Sequence, residues 1–265
     1  MRRSAGRRSG FSRRILSALI LLAVGYALGV SGVLASILAL RTARAPKPSG
    51  SVATVRRPAS LPVAALLNVR PQDQYPKLPN GCEVTSLSML LSAVGHPVSY
   101  LTLAKEQPYD PTKRIVQNGK VVFWGNPNVG FVGSVYQAGL GYAIYHGPLA
   151  SLLDRILPGR ALDLTGKPFA DIERVVADGT PVVLWTTTTF QPTNEWGLWN
   201  SPKGPVRFTP LDHTVLMVGY DRTQIFINNP LNGAKAEAIP IRPFLESWNQ
   251  LGDQAITVKP ETKRS

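Results

Sequence analysis

The chain has 265 residues, of which 44% are hydrophobic, and a formal net charge of +13. This composition excludes an intrinsically disordered chain and supplies enough apolar side chains for one or two folded domains. Residues 1–60 hold 11 of the 29 Lys and Arg residues and no Asp or Glu, so residues 61–265 carry 18 basic against 16 acidic side chains. Residues 61–265 are therefore nearly neutral, which argues against a nucleic-acid-binding domain.

The first forty residues have the pattern of a membrane anchor. Six arginines in residues 1–14 precede an uncharged apolar run over residues 15–40. At about 1.5 Å per residue this run is long enough to cross a bilayer core of about 30 Å, and the basic flank favours a cytoplasmic N-terminus. A cleaved signal peptide is the alternative, but Pro46 follows the small-residue site Ala43–Ala45 and makes it a poor cleavage site. We predict a single-pass cell-membrane protein with an extracellular C-terminal part, or a secreted one if the segment is cleaved.

A linker and one outer domain follow the apolar run. Residues 41–60 are rich in Pro, Ser, Ala and basic side chains without an apolar period, which predicts a flexible linker. Residues 61–265 have a globular pattern without an internal repeat, so we predict one domain there. The single cysteine, Cys82, cannot form an intramolecular disulfide. It is either a buried bystander or a thiol kept for its reactivity.

A helix is predicted to begin at Cys82. Apolar residues recur three and four positions apart before Gly95 and Pro97, namely Leu87, Leu90, Leu91 and Val94. Unpaired N–H groups and the helix dipole at such an N-terminus favour a thiolate and predict a lowered thiol pKa. The neighbouring Glu83 acts against this because a carboxylate disfavours a second anion. Position alone leaves a catalytic role and a core role for Cys82 equally open.

The segment "FADIERVVADGTPVVLWTTTTF" predicts a helix ending at Gly179 and then a buried central strand. The polar "QPTNEWGLWNSPKGPVRFTPL" that follows is predicted to be a long loop. Its Trp196 and Trp199 either wall a substrate cleft or pack under the loop.

His213 is the histidine placed where a catalytic base is expected. It precedes the apolar run "TVLMVGYD", and a turn near Asp221 leads to "IFIN", which stops at Asn229. In such a hairpin His213 lies opposite Asn229, and an amide beside an imidazole fixes its tautomer. The sequence thus predicts Cys82 as nucleophile, His213 as base and Asn229 as orienting residue. A satisfied strand histidine and a plain Asn-Pro turn are the alternatives.

Donors for an oxyanion complete the predicted site. The backbone N–H of Cys82 is one natural donor, and the side-chain amide of Gln74 is the second, with Gln72 as a fallback. An ordinary polar loop residue is the alternative for Gln74. We interpret His96 as a helix C-cap or surface residue and His146 as a turn residue. No metal ligand pairs, phosphate loop or dinucleotide fingerprint occur, so no cofactor is predicted.

These segments together resemble the cysteine peptidase family 39-like domain, a branch of the papain-like fold, in its exported bacterial form without a transporter. The resemblance extends from about Gln72 to Val258 and is carried by "QYPKLPNGCEVTSLSMLLSAVG", "DHTVLMVGYD", "IFINNPLNG" and "FLESWNQLGDQAITV". It implies Cys82 as nucleophile, His213 as base and Gln74 as oxyanion donor. The family's orienting residue is usually Asp before Pro, whereas this chain has Asn229, which removes a charge that would stabilise an imidazolium.

The expected fold is therefore α+β and papain-like, with a helical part carrying Cys82 packed on an antiparallel sheet carrying His213. A substrate cleft is expected between the two parts. The leading functional expectation is a membrane-anchored extracellular cysteine peptidase or amidase. Its partner would be a peptide or protein substrate, with cell-wall peptide among the candidates. A thiol acyltransferase and a non-catalytic cell-envelope binding module are the alternatives.

Overall fold

The computed structural model describes residues 60–260, which form a mixed α/β fold. The helices are α1 (Cys82–Ala93), α2 (Tyr100–Glu106), α3 (His146–Ile156), α4 (Phe169–Ala177) and α5 (Ile241–Gln250). The strands are β1 (Ala65–Leu66), β2 (Tyr109–Asp110), β3 (Ile115–Gln117), β4 (Lys120–Phe123), β5 (Phe131–Val132), β6 (Ala161–Asp163), β7 (Val182–Thr187), β8 (Gly197–Ser201), β9 (Gly204–Phe208), β10 (Asp212–Tyr220), β11 (Gln224–Asn229), β12 (Ala234–Pro240) and β13 (Ala255–Val258).

A seven-stranded antiparallel sheet organises the fold. Its order is β12-β11-β10-β7-β13-β6, and β1 pairs with the far end of β10. The predicted central strand is confirmed as β7, between β10 and β13. All six of its residues are buried, which explains the unbroken apolar and β-branched run in its sequence.

Helices cover both faces of this sheet. Alternate residues of β7 and β10 pack on the face of α1 and α3, namely Val183, Trp185, Leu216 and Val218. The intervening residues pack on the face of α4 and α5, namely Val182, Leu184, Val215 and Met217. This period of two is the geometry of a strand buried on both sides.

The predicted helix at Cys82 is confirmed as α1, and it lies inside the molecule. Every residue from 82 to 91 is buried, so the helix is enclosed on all sides rather than along one stripe. The Ser86 hydroxyl donates a hydrogen bond to the carbonyl of Thr214 in β10 at 3.2 Å and ties the helix to the sheet. Gly81 precedes the helix at a close approach, because a Cβ there would lie 2.6 Å from the Cβ of Leu78.

Two local predictions are wrong. The segment predicted as one long loop contains the antiparallel hairpin β8–β9, which joins β3 and β4 in a second sheet. Its Pro and Gly residues favour turns, so the sequence did not indicate these strands, which their pairing stabilises. His146 is not a turn residue but the first residue of α3, where its Nδ1 lies 2.6 Å from Asp163 Oδ2.

Residues 60–260 include no helix that is both long enough and apolar enough to cross a membrane. The predicted anchor over residues 15–40 and most of the predicted linker lie outside the described residues.

Candidate active site

A cleft opens where the N-terminus of α1 meets the start of β10. Its volume is about 440 Å³, and its lining includes Cys82, His213 and Gln74. Gln74 and Cys82 are close in the sequence, whereas His213 comes from a distant strand, so the fold brings the predicted nucleophile, base and oxyanion donor to one cavity. Within residues 60–260 the lining includes Gln74 but not Gln72, which favours the first of the two predicted donors.

A chain of hydrogen bonds orients His213. Its Nε2 lies 3.0 Å from Asn229 Oδ1, and Asn229 Nδ2 donates to Glu237 Oε2 at 2.9 Å. Because a carboxylate only accepts, Glu237 fixes which end of the Asn229 amide faces the imidazole. Asn229 Oδ1 must then accept from Nε2–H, which leaves Nδ1 as the unprotonated nitrogen available to a thiol.

The contact between His213 and Asn229 is diagonal. On that side of the hairpin the last paired residues of the two strands are Leu216 and Asn228. The predicted meeting of the two side chains therefore occurs just beyond the end of the regular ladder. The Pro230 carbonyl, in the turn after β11, accepts a hydrogen bond from the backbone N–H of Gln74 at 2.9 Å. This bond holds the segment that carries Gln74 beside His213 and Asn229.

The Cys82 thiol lies among acidic groups. Its Sγ is 3.3 Å from Glu83 Oε2, and the other carboxyl oxygen of Glu83 accepts from the Ile144 N–H at 3.0 Å. Asp212, which precedes His213, also acts on the sulfur through its charge. One favourable contact opposes these groups, a hydrogen bond with the backbone N–H of Thr214.

The predicted lowering of the thiol pKa is wrong. Burial raises the pKa of Cys82 well above its ordinary value, and the charges of Glu83 and Asp212 raise it further. Only 8% of the residue is exposed, so loss of water outweighs the helix N-terminus. Burial also lowers the pKa of His213 to about 4, against a smaller opposing effect of Asn229. The resting site therefore holds a neutral thiol and a neutral imidazole at pH 7.

Gln74 is buried, and one of its amide hydrogens is already bonded. Its Nε2 donates to the carbonyl of Pro79 at 3.1 Å, which pins the side chain beside the start of α1. An amide nitrogen carries two hydrogens, so one remains for an oxyanion in the cleft. The other predicted donor, the Cys82 backbone N–H, lies in the first turn of α1.

Aromatic side chains form one wall of the cleft. Trp124, Tyr142, Trp199 and Phe208 all line it, and the rings of Trp199 and Phe208 have centroids 4.4 Å apart. Trp199 therefore lines the cleft, which is one of the two arrangements considered, while Trp196 lies outside the lining and stacks under Arg207. The guanidinium of Arg114, at the rim, lies 5.1 Å from the Trp124 ring centroid.

Sequence reasoning missed several residues of the site. Asp212 is next to the predicted base, so the sequence places it near the site. Nothing in the sequence shows that its Oδ2 is buried without a hydrogen-bond partner among residues 60–260. Glu237 belongs to β12, and only the hairpin register reveals that it reaches Asn229. Trp124 and Tyr142 lie in a segment whose sequence has no clear helix or strand periodicity.

The chain matches a known protein family and similar proteins. Residues 66–256 match the Peptidase_C39 like family. The chain is 34% identical over 188 residues to the uncharacterized protein YvpB of Bacillus subtilis (strain 168), which covers 71% of this chain and 72% of that protein. The crystal structure of a candidate C39-like peptidase from Bacillus anthracis matches with a TM-score of 0.69 and 38% identity, covering 76% of this chain and 99% of that one.

The resemblance inferred from the sequence motifs is thereby confirmed over most of the region where it was expected. The cysteine, the histidine strand and the hairpin all fall inside the matched residues. The chain belongs to the Peptidase_C39 like family.

Proposed function

We propose that the protein is a cysteine peptidase or amidase that cleaves peptide or amide bonds with Cys82, His213, Asn229 and Gln74. Family membership supports cysteine-peptidase chemistry in general. The observation that carries the specific assignment is that Cys82 and His213 line one cleft while Asn229 holds the imidazole at Nε2.

In the proposed reaction the thiol proton moves to His213 Nδ1 as the sulfur attacks the carbonyl carbon of the substrate. The Cys82 N–H and the Gln74 amide stabilise the oxyanion that forms. The imidazolium returns the proton to the leaving amine, and a thioester on Cys82 remains. Water, deprotonated by the same imidazole, then hydrolyses the thioester and frees the acid, and the imidazolium returns the proton to the Cys82 sulfur.

We also propose that residues 15–40 anchor the protein in the cell membrane with the catalytic domain outside. The six arginines before this run and its length support the anchor. Fractionation of cells expressing the full chain tests it, because an anchored protein sediments with membranes at its full mass of 28.7 kDa. A smaller protein in the medium would instead show a cleaved signal peptide.

Catalysis is tested with the full-length protein in detergent micelles and a mixture of unstructured peptides. We expect cleavage by the wild type, a transient mass increase on Cys82 from the acyl group, and loss of both in Cys82→Ala. Far-UV circular dichroism controls for folding. Cleavage by Cys82→Ala at the wild-type rate would overturn the site.

Two further outcomes separate the alternatives. Transfer of the acyl group to an added amine in preference to water would indicate an acyltransferase. Peptide binding without any cleavage or acylation would indicate a non-catalytic binding module.

A further inference from the structure

A buried carboxyl group touches the proposed nucleophile and has no role in the reaction described above. Glu83 is only 1% exposed, and its Oε2 lies 3.3 Å from Cys82 Sγ. An ionised carboxylate has no hydrogen to give, so in that state the thiol S–H must donate to Oε2. The proton that has to leave the sulfur is then held toward Glu83.

Burial raises the pKa of Glu83 more than hydrogen bonds from its own backbone N–H, the Ile144 N–H and the Cys82 thiol lower it. On α1 it faces the Cys82 thiol, and from β10 it faces Asp212, whose charge interacts with it. The segment before α3 contributes the Ile144 N–H, which donates to Oε1, and the Tyr145 hydroxyl. Tyr145 hydrogen bonds to the Tyr142 hydroxyl, and Tyr142 in turn bonds to Asp212. A thiolate formed at Cys82 would be a further anion in this cluster.

The two protonation states of Glu83 have opposite effects on the sulfur. Burial raises the pKa of Glu83 to about 7, so both states occur near neutral pH. The carboxylate accepts from the thiol and raises its pKa. The neutral acid has an O–H that can donate to a thiolate, and it carries no charge to repel one.

We propose that Glu83 is a proton switch for Cys82, holding the thiol protonated as a carboxylate and stabilising the thiolate as a carboxylic acid. This inference rests on the proposed function, because it assigns the regulation of the same nucleophile. In the active form the proton of Glu83 stays on Oε2, the thiol proton moves to His213 Nδ1, and the net charge of the cluster is unchanged. Deprotonation of Glu83 makes the same transfer unfavourable.

The variant Glu83→Gln imitates the neutral acid permanently. Its Oε1 can still accept from the Ile144 N–H, and its Nε2 replaces the atom beside sulfur with a donor. The thiol is monitored through its rate of alkylation by iodoacetamide in the full-length protein from pH 5 to pH 10, which requires no knowledge of the substrate. We expect the apparent thiol pKa to fall. If it falls by about one, alkylation at pH 8 becomes about tenfold faster than in the wild type, because the thiolate fraction rises by that factor.

Matched variants separate the switch from general effects. Glu173→Gln makes the same substitution at a partly buried carboxyl on α4, outside the cleft lining, and is expected to leave the alkylation profile unchanged. Asp212→Asn removes the second buried carboxyl group and leaves the contact between Glu83 and the sulfur in place. It is expected to speed alkylation, but by less than Glu83→Gln.

An alkylation profile of folded Glu83→Gln that coincides with the wild-type profile would overturn the proposal. If this variant does not fold, a carboxyl NMR titration of wild type and Cys82→Ala decides instead. Because the thiol contact lowers the pKa of Glu83, its removal must raise that pKa, and an unchanged value would overturn the switch.

The outcome is independent of peptide cleavage. A shifted alkylation profile in a protein that cleaves no peptide would support the switch and refute the peptidase. Peptide cleavage with an unshifted alkylation profile would support the peptidase and refute the switch.

Discussion

The thiol and the imidazole of the proposed active site have very different surroundings. His213 is held by a neutral amide, and the nearest carboxylate in its hydrogen-bond chain, that of Glu237, acts through Asn229. Cys82 touches a carboxyl group directly and is affected by the charge of a second one. Burial has the largest effect on the pKa of both groups, but a hydrogen bond with Asn229 modifies it at His213, whereas nearby carboxyl groups add to it at Cys82. Substitutions on the two sides should therefore have different consequences.

The largest effect is expected for His213→Ala. Loss of the base should lower kcat/KM for peptide cleavage by about 10³-fold or more. Alkylation of Cys82 should change by less than about tenfold, because the neutral imidazole contributes little charge to the resting thiol. His146→Ala, on the surface at the start of α3, is the matched control. A parallel fall in both rates would show that His213, rather than the carboxyl groups, controls the thiol.

The second effect concerns stability and pH. The pKa of Glu83 is raised from 4.5 to about 7 by folding, so its stabilising effect is complete below pH 4.5 and is lost as the pH rises through 7. The loss amounts to about 3 kcal/mol. The Glu83→Gln variant lacks this loss, so its free energy of unfolding relative to the wild type should rise by about that amount from pH 4.5 to pH 7.5.

Urea unfolding at the two pH values measures this difference. His213, whose pKa is lowered to about 4 by folding, contributes a change of the opposite sign between pH 4 and 6.5. It is present in both proteins and cancels in the comparison. A relative stability that does not depend on pH would show that Glu83 is ionised in the folded protein throughout this range.

The smallest effect is expected on the imidazole side. Glu237→Ala removes the group that orients Asn229 and should lower kcat/KM about tenfold, equivalent to about 1.4 kcal/mol. In an Asn229→Asp background the same substitution should raise activity, because it removes a carboxylate facing another carboxylate. Peptide cleavage by the four proteins of this cycle measures both signs. Equal losses in the two backgrounds would mean that Glu237 acts through the strand and not through the amide.

The sequence predicts much of this arrangement because the relevant signals are local. The helix at Cys82 and the central strand β7 follow from apolar spacing and a β-branched run. The hairpin follows from two apolar segments around a polar turn, and it brings His213 near Asn229. The mixed α/β fold and the family follow from these elements and their motifs.

The missed features depend on burial and on strand pairing. The pKa of Cys82 depends on burial by the surrounding chain, whereas the helix N-terminus visible in the sequence has only a partial effect. The strands β8 and β9 form because they pair with each other and with β4. Glu237 reaches Asn229 only through an irregularity in the β11–β12 register. Neither apolar spacing nor composition reveals this burial or this pairing.

The tryptophans of the aromatic wall should allow ligand binding to be followed by intrinsic fluorescence. Two of the chain's five tryptophans, Trp124 and Trp199, line the cleft, whereas Trp185 is enclosed in the core between sheet and helix. Indole emission responds to changes of polarity within a few ångströms. Any occupant of the cleft that displaces solvent from this wall thus alters the intrinsic fluorescence, so a library of unlabelled compounds can be screened without a chromogenic group.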